Sequence, residues 1–256
     1  MADMLYKLVA KATRILSGDI ILNKPVDGFN KRLYYEKLQH LSFLFQSEIS
    51  YEVNVWNNIK PFINEGDLIF DIGGNIGQYA LRFSEAVGDG GKVISFEPDY
   101  KNFAFLQFNV NINACKNIEC KNVGLGAKSE TMELFRDTVT GGRMSSFGAK
   151  YRYNKSEGVS DFVKVETYAG MEKIFGTPDF VKIDVEGYES EVLKGIDKFS
   201  KKTKFLVEVR ANTRNNVFDV FSTHGFKCFV VDDVEPWVAE RKERIPSFSD
   251  LLFISQ

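Results

Sequence analysis

Apolar residues recur along this chain at two spacings, and the alternation between them outlines an α/β protein. Residues 4–16 place Leu5, Leu8, Val9, Ala12, Ile15 and Leu16 on one helical face, with Lys7, Lys11 and Arg14 between them. Such a basic amphipathic helix packs on its own domain or rests on an anionic membrane surface, so peripheral membrane contact stays open. A second helical stretch is expected over residues 30–45, as part of a lid. Leu68-Ile69-Phe70-Asp71, between Gly66 and Gly73, is too short a run for a buried helix and reads as a buried parallel strand. A helix over 77–87 follows, closed by Gly88-Asp89-Gly90-Gly91. The next strand, Lys92-Val93-Ile94-Ser95-Phe96-Glu97, is stopped by Pro98, which cannot donate to a ladder. A helix to about Asn113, a strand over 118–123 and a less regular excursion through 132–135 and 140–148 come next. The alternation resumes with a strand over 179–184, a helix over 188–195 and a strand over 204–209. Two last strands, over 226–231 and 251–255, flank a polar segment that holds Trp237. Alternation of this kind demands crossovers, and right-handed crossovers build a doubly wound, mainly parallel sheet.

Composition narrows the function classes more than it names one. Apolar residues make up 44% and charged residues 27% of the 256, as in ordinary globular proteins, and the 23 Phe and 10 Tyr point to an aromatic-heavy core. A net charge of -2 gives no global attraction for nucleic acid, which is not expected as a partner. Cys115, Cys120 and Cys228 form no CxxC pair, so neither a disulfide framework nor a zinc site is indicated, and a reducing cytoplasm is the expected compartment. No uninterrupted apolar run reaches the roughly 20 residues of a membrane span.

In an open α/β sheet the ligand site lies at the carboxyl ends of the strands. After the first strand, Gly73, Gly74 and Gly77 permit a tight turn that a ligand can approach closely at a helix start, the lesser reading being a glycine turn without a ligand. Glu97, about 20 residues further on, stands where an acid accepts hydrogen bonds from ribose hydroxyls. The loop Gly73-Gly74-Asn75-Ile76-Gly77-Gln78 does not reproduce G-x-G-x-x-G, and Asp71 at its head would repel a pyrophosphate. A cationic, amino-acid-bearing ligand suits it better. Two readings stay beside this one: a nicotinamide-dependent oxidoreductase of Rossmann type, which lacks a recognisable hydride-transfer set here, and a non-catalytic cofactor-binding interaction module.

The elements Gly66-Asp67-Leu68-Ile69-Phe70-Asp71-Ile72-Gly73-Gly74-Asn75-Ile76-Gly77, Phe96-Glu97-Pro98, Asn122-Val123-Gly124-Leu125-Gly126 and Val181-Lys182-Ile183-Asp184-Val185-Glu186-Gly187-Tyr188-Glu189 together resemble class I methyltransferases, and within them the FkbM family. The resemblance runs from about Glu65 to Val209. It departs at Gly74, where the family usually has Ala, and at Val209-Arg210, where many members end the strand in histidine. It implies a Rossmann-like, seven-stranded sheet over residues 61–256 behind an N-terminal helical extension or lid over 1–60. It also implies an O-methyltransferase that uses S-adenosyl-L-methionine on a hydroxyl of a sugar, glycan or secondary-metabolite precursor. By position, Asp71, Gly73, Gly74, Asn75 and Gly77 would hold the methionine part, Glu97 with Pro98 the ribose, and Asn122 and Gly124 the edge of the adenine. Asp184 would face the reaction centre at the cofactor.

A hydroxyl acceptor benefits from a base, and Asp184, with Glu208 on the neighbouring strand end, is the candidate. Glu186 reaches the substrate side if Gly187 turns the chain, or else caps the helix that follows. Asp184 and Glu208 admit a divalent ion but do not demand one. Arg143, Ser145 and Ser146, in a glycine-rich stretch, are the expected acceptor contacts. His224 reads as a surface residue, and His40 belongs to the lid segment.

Overall fold

The computed structural model describes residues 20–26, 28–37, 52–135, 146–147 and 160–255. The expected basic helix over 4–16, His40, and Arg143 and Ser145 lie outside them. Strands β1 (Ile21–Pro25) and β2 (Arg32–Glu36) form an antiparallel hairpin. This corrects the helix expected over 30–45 at positions 32–36. Leu33 and Tyr35 point into the protein and are fully buried, a period-two alternation in a segment of β-forming residues.

The main domain starts with helix α1 (Val53–Ile59) and strand β3 (Leu68–Ile72), followed by α2 (Gln78–Val87), β4 (Lys92–Phe96), α3 (Tyr100–Ile112) and β5 (Ile118–Lys121). An excursion comes next, built of β6 (Gly124–Gly126), β7 (Glu130–Phe135), β8 (Ser146–Phe147) and β9 (Ser160–Thr167). The chain then returns through α4 (Tyr168–Phe175), β10 (Phe180–Ile183), α5 (Glu189–Lys194), β11 (Lys204–Arg210), α6 (Arg214–Thr223), β12 (Phe226–Val230), β13 (Trp237–Val238) and β14 (Phe248–Ser255). The main sheet has eight strands in the order β13-β12-β14-β11-β10-β3-β4-β5, one more than the seven expected, because the two-residue β13 adds an edge. β5, β4, β3, β10 and β11 are parallel, while β14 runs antiparallel between β11 and β12. The irregular excursion is a separate small sheet, β6-β9-β7-β8.

Strand alternation sorts the interior into two layers. Phe70, Ile72, Val181, Ile183, Phe205 and Val207 pack with Tyr168, Val192, Val217 and Phe221 of the helices on one face. Ile69, Val93, Phe180, Leu206 and Leu252 pack with Trp56, Ile59, Tyr79 and Phe83 on the other. On that second face the apolar pattern gives way, at the carboxyl ends of the strands, to Ser95, Asp71, Lys182, Glu208 and Asp250. α1, with Trp56 and Ile59, therefore belongs to the core of the sheet rather than to an outlying lid.

Asn109 of α3 ties the hairpin to this site. Fully buried, it accepts the Tyr34 N–H on Oδ1 at 2.7 Å, and its Nδ2 donates to the carbonyls of Tyr34 at 2.9 Å and Ile76 at 2.8 Å. Asn109→Leu would orphan three backbone groups and should lower unfolding free energy by about 2 kcal/mol or more in denaturant titration. A neutral result would show that the hairpin docks without this anchor.

Candidate active site

The glycine loop is held open by backbone geometry. The amides of Gly73 and Gly74 both donate to the Phe96 carbonyl, at 2.9 and 3.0 Å, and the Gly77 amide to the Gly74 carbonyl at 2.8 Å. Gly73 adopts φ 86°, and a Cβ there would lie 1.9 Å from the Asp184 carbonyl oxygen, so strand β10 and the loop meet backbone to backbone. Asp184 N–H donates to the Ile72 carbonyl at 3.0 Å, completing the junction. Asn75 at φ 49° turns the loop toward Gly77, which caps α2 at φ 100°.

One cavity opens at this junction. Asp71, Gly73, Gly74, Asn75, Glu97 and Pro98 line it together with Asp184 and Glu186, as the sequence led one to expect. Gly77 shapes the loop from behind, against Leu106. Asn122 and Gly124 are not among the lining residues. The Asn122 amide instead donates to the carbonyls of Glu97 and Pro98, at 2.8 and 3.1 Å, and so fixes the turn that presents Glu97. Gly124 leaves room for the Phe147 ring, which would stand 2.7 Å from a Cβ at that position. Ser146 precedes Phe147 in β8, which the Leu134↔Phe147 pairing holds at the cavity wall.

Glu97 is buried and accepts the Asp99 amide on Oε1 and the Asn75 amide on Oε2, each at 2.8 Å. Burial, reinforced by Asp99, pushes its carboxyl up to about 8 despite those two donors. Asp71 is fully buried. Burial raises it too, while Lys182 and a hydrogen bond from Ser95 at 2.8 Å oppose the shift. Its Oδ1 has no hydrogen-bond partner among the described residues.

Between Asp71 and Asp184 stands Lys182, a residue the sequence reading quoted within a motif but did not assign. Only 3% exposed, its Nζ lies 2.9 Å from Asp184 Oδ2 and 4.7 Å over the Tyr79 ring. Burial would lower this ammonium, but Asp184, Asp71 and Glu52 outweigh it and raise it above its ordinary range. Tyr79 seals the row and donates its hydroxyl to Glu52 Oε2 at 2.7 Å. The local clue was position: Gln78 and Tyr79 directly follow the glycine loop, and both line the cavity.

On the other side, the turn at Gly187 (φ 100°) and the left-handed Glu186 (φ 54°) bring Glu186 to the cavity, so it is not a helix cap. Glu186 pairs with Arg210, whose guanidinium also lies 3.5 Å from Glu208. The nearest carboxylate oxygens of Asp184, Glu186 and Glu208 lie within 4.8 Å of one another, as do those of Glu52, Glu208 and Asp250. Burial, then Asp184 and Asp250, raises the Glu208 carboxyl, and burial, then Glu52 and Asp232, raises that of Asp250. A raised carboxyl at this strand end favours the protonated form, which donates a hydrogen bond as well as accepting one. Both groups of acids offer oxygen ligands of the kind a divalent ion takes, and Arg210 sets a positive charge beside the first.

His224 ends α6, exposed, with Nδ1 2.8 Å from the Val220 carbonyl oxygen, and takes no part in the cavity. Trp237 anchors its segment through Nε1 to Asp233 Oδ2 at 3.0 Å.

The sequence profile described as the methyltransferase FkbM domain matches residues 71–245. Methyltransferase 1 of Beauveria bassiana is 24% identical over 158 residues, covering 55% of this chain and 62% of that protein. Among solved structures, an FkbM methyltransferase from Methylobacillus flagellatus KT is similar at 19% identity over 73% of this chain and 43% of that one, with a TM-score of 0.46. A SAM-dependent methyltransferase from Aquifex aeolicus is similar at 15% identity over 85% and 94%, with a TM-score of 0.47. The chain thus spans less than two thirds of the first two of these relatives. The profile match covers the glycine loop, Glu97 and the Asp184 strand end, and the chain belongs to the FkbM methyltransferase family.

Proposed function

We propose that this protein is an O-methyltransferase acting on a hydroxyl of a sugar, glycan or secondary-metabolite precursor. The observation that carries the reading is the convergence of Asp71, Glu97 and Asp184 on one cavity at the strand ends, where Lys182, the cation among the described lining residues, is already paired with Asp184. S-adenosylmethionine, when bound, supplies an electrophilic methyl carbon. Asp71 Oδ1 offers an acceptor for an amine, and Glu97 retains lone pairs for two ribose hydroxyls beyond those its amide donors use. Asp184, with Oδ2 held by Lys182, is placed to take the proton of an acceptor hydroxyl on Oδ1. Orientation in this narrow junction accounts for the largest share of the acceleration, up to about 7–11 kcal/mol in well-oriented reactions. The loop Arg143, Ser145 and Ser146 remain the proposed acceptor contacts, and Glu186 the one that the cavity itself contributes.

Glu97→Ala should weaken S-adenosylhomocysteine binding by about 1–3 kcal/mol in calorimetric titration, since charge-assisted bonds to two hydroxyls are lost. The same site predicts a proton linkage. With its carboxyl near 8, Glu97 is largely protonated at pH 7, and hydroxyl donors favour the ionised form. Binding should therefore release a proton at pH 7 and tighten as pH rises through about 8. Calorimetry in two buffers of different ionisation enthalpy reads this directly, and Glu97→Gln should abolish the difference; a wild type without proton release would contradict the assignment.

Asp184→Asn keeps shape but removes the base. Methyl transfer to hydroxylated sugars and phenols should fall by roughly 10²-fold in single-turnover kinetics, with S-adenosylhomocysteine affinity nearly unchanged. The opposite pattern, weakened binding with intact turnover at saturation, would make Asp184 a cofactor-orienting residue instead.

A further inference from the structure

Ser95 is fully buried on β4 and stands opposite Asp71 in the β3–β4 register, so the two side chains rise from the same face of the sheet. Its hydroxyl donates to Asp71 Oδ2 at 2.8 Å, while the buried Asp71 Oδ1 has no hydrogen-bond partner among the described residues and Asp71 itself lines the cavity. The same hydroxyl occupies the space where a side chain at position 74 would begin. A Cβ on Gly74 would lie 2.0 Å from Ser95 Oγ, 3.2 Å from Asp71 Oδ2 and 3.4 Å from Ser95 Cβ. Gly74, unlike Gly73, is not in the left-handed region, so this glycine is required by space and not by backbone conformation.

We propose that Ser95 is the positioning residue that fixes the Asp71 carboxylate for the cofactor's amine, and that Gly74 is the gap which lets its hydroxyl sit there. The inference rests on the reading of Asp71 as the amine acceptor. A carboxylate held at one oxygen by a buried neutral donor keeps its charge and cannot rotate, so its other oxygen presents one fixed direction to a cation. A methyl group at position 74 leaves the serine one escape, rotation of Oγ to another rotamer, and that rotation takes the hydrogen bond from Asp71. Gly74→Ala should therefore copy Ser95→Ala. Once the hydroxyl is gone, the methyl meets the Cβ at position 95 at an ordinary 3.4 Å and Asp71 Oδ2 at 3.2 Å, which a shift of a few tenths of an ångström by the already unbonded oxygen relieves, so the two changes made together should cost little more than either alone.

The test is a double-mutant cycle read by calorimetry with two ligands. S-adenosylhomocysteine carries the amino-acid portion, whereas 5′-methylthioadenosine keeps the adenosine and sulfur and lacks it. Ser95→Ala and Gly74→Ala should each weaken S-adenosylhomocysteine about tenfold and 5′-methylthioadenosine less than about twofold. The double variant should bind S-adenosylhomocysteine little worse than the singles, with thermal melting confirming that all three variants fold. Equal loss on both ligands, or a double variant whose losses multiply, would overturn the proposal and leave Ser95 a packing residue. Wild-type protein that binds 5′-methylthioadenosine as tightly as S-adenosylhomocysteine would instead refute the amine assignment of Asp71 beneath it.

Discussion

The ammonium of Lys182 is the interaction on which the site depends. It stands one sheet position from Asp71 and 2.9 Å from Asp184 Oδ2, under the ring of Tyr79, with 3% of the residue exposed. Removing a charge from water costs several kcal/mol, so such a pair is weak evidence for stability. What it secures is geometry. Without it, two carboxylates on adjacent strand ends would face each other across a buried space, and one would have to take a proton or turn away. With it, a cation stands beside both, and the two line the rim of one cavity.

The second constraint is the contact between Gly73 and the Asp184 carbonyl. Parallel strands diverge at their carboxyl ends in a twisted sheet, and the crevice that results is where ligands bind. Here β3 and β10 stay joined one residue beyond the ladder, through the Asp184 amide on the Ile72 carbonyl. The absence of a side chain at 73 is what lets the two backbones come this close. Asp71, two residues before the glycine, and Asp184, at the end of the other strand, are thereby delivered to the same cavity by covalent distance alone.

Much of this was legible in the sequence because it is local. Short apolar runs ending at Asp71, Glu97 and Asp184, each followed by a turn residue, mark strand ends, and strand ends mark the site. What could not be read is what depends on partners distant in the chain. The hairpin at 21–36 has its alternation hidden among residues that also fit a helix, and only packing of Leu33 and Tyr35 decides between the two. Ser95 looks like an ordinary strand residue until the register sets it against Asp71. Glu208 is marked by its strand end, but what raises its carboxyl is burial, then Asp184 on the neighbouring strand and Asp250 on a strand more than 40 residues away. Asn122 lies in the segment the sequence singles out, and its amide donates to the Glu97 and Pro98 carbonyls, partners that only the fold brings to it.

The strained backbone at Glu186 shows how the two sides of the cavity are kept distinct. A non-glycine residue at φ 54° costs on the order of 1 kcal/mol or more and persists only where its surroundings over-determine it. The left-handed turn places Glu186 and Asp184 at the same cavity, which two positions separated by one residue on a continuing strand would also share, but with the chain running on and blocking the entrance. Turning the chain clears that entrance. The conformation is held from outside by Arg210, which pairs with Glu186, lies beside Glu208 and stacks its guanidinium 5.4 Å from the Phe248 ring centroid. A planar, permanently charged group suits this position because it can meet two acids and a ring at once, which an ammonium could not. Lys182 thus answers the acids on one side of the cavity and Arg210 those on the other.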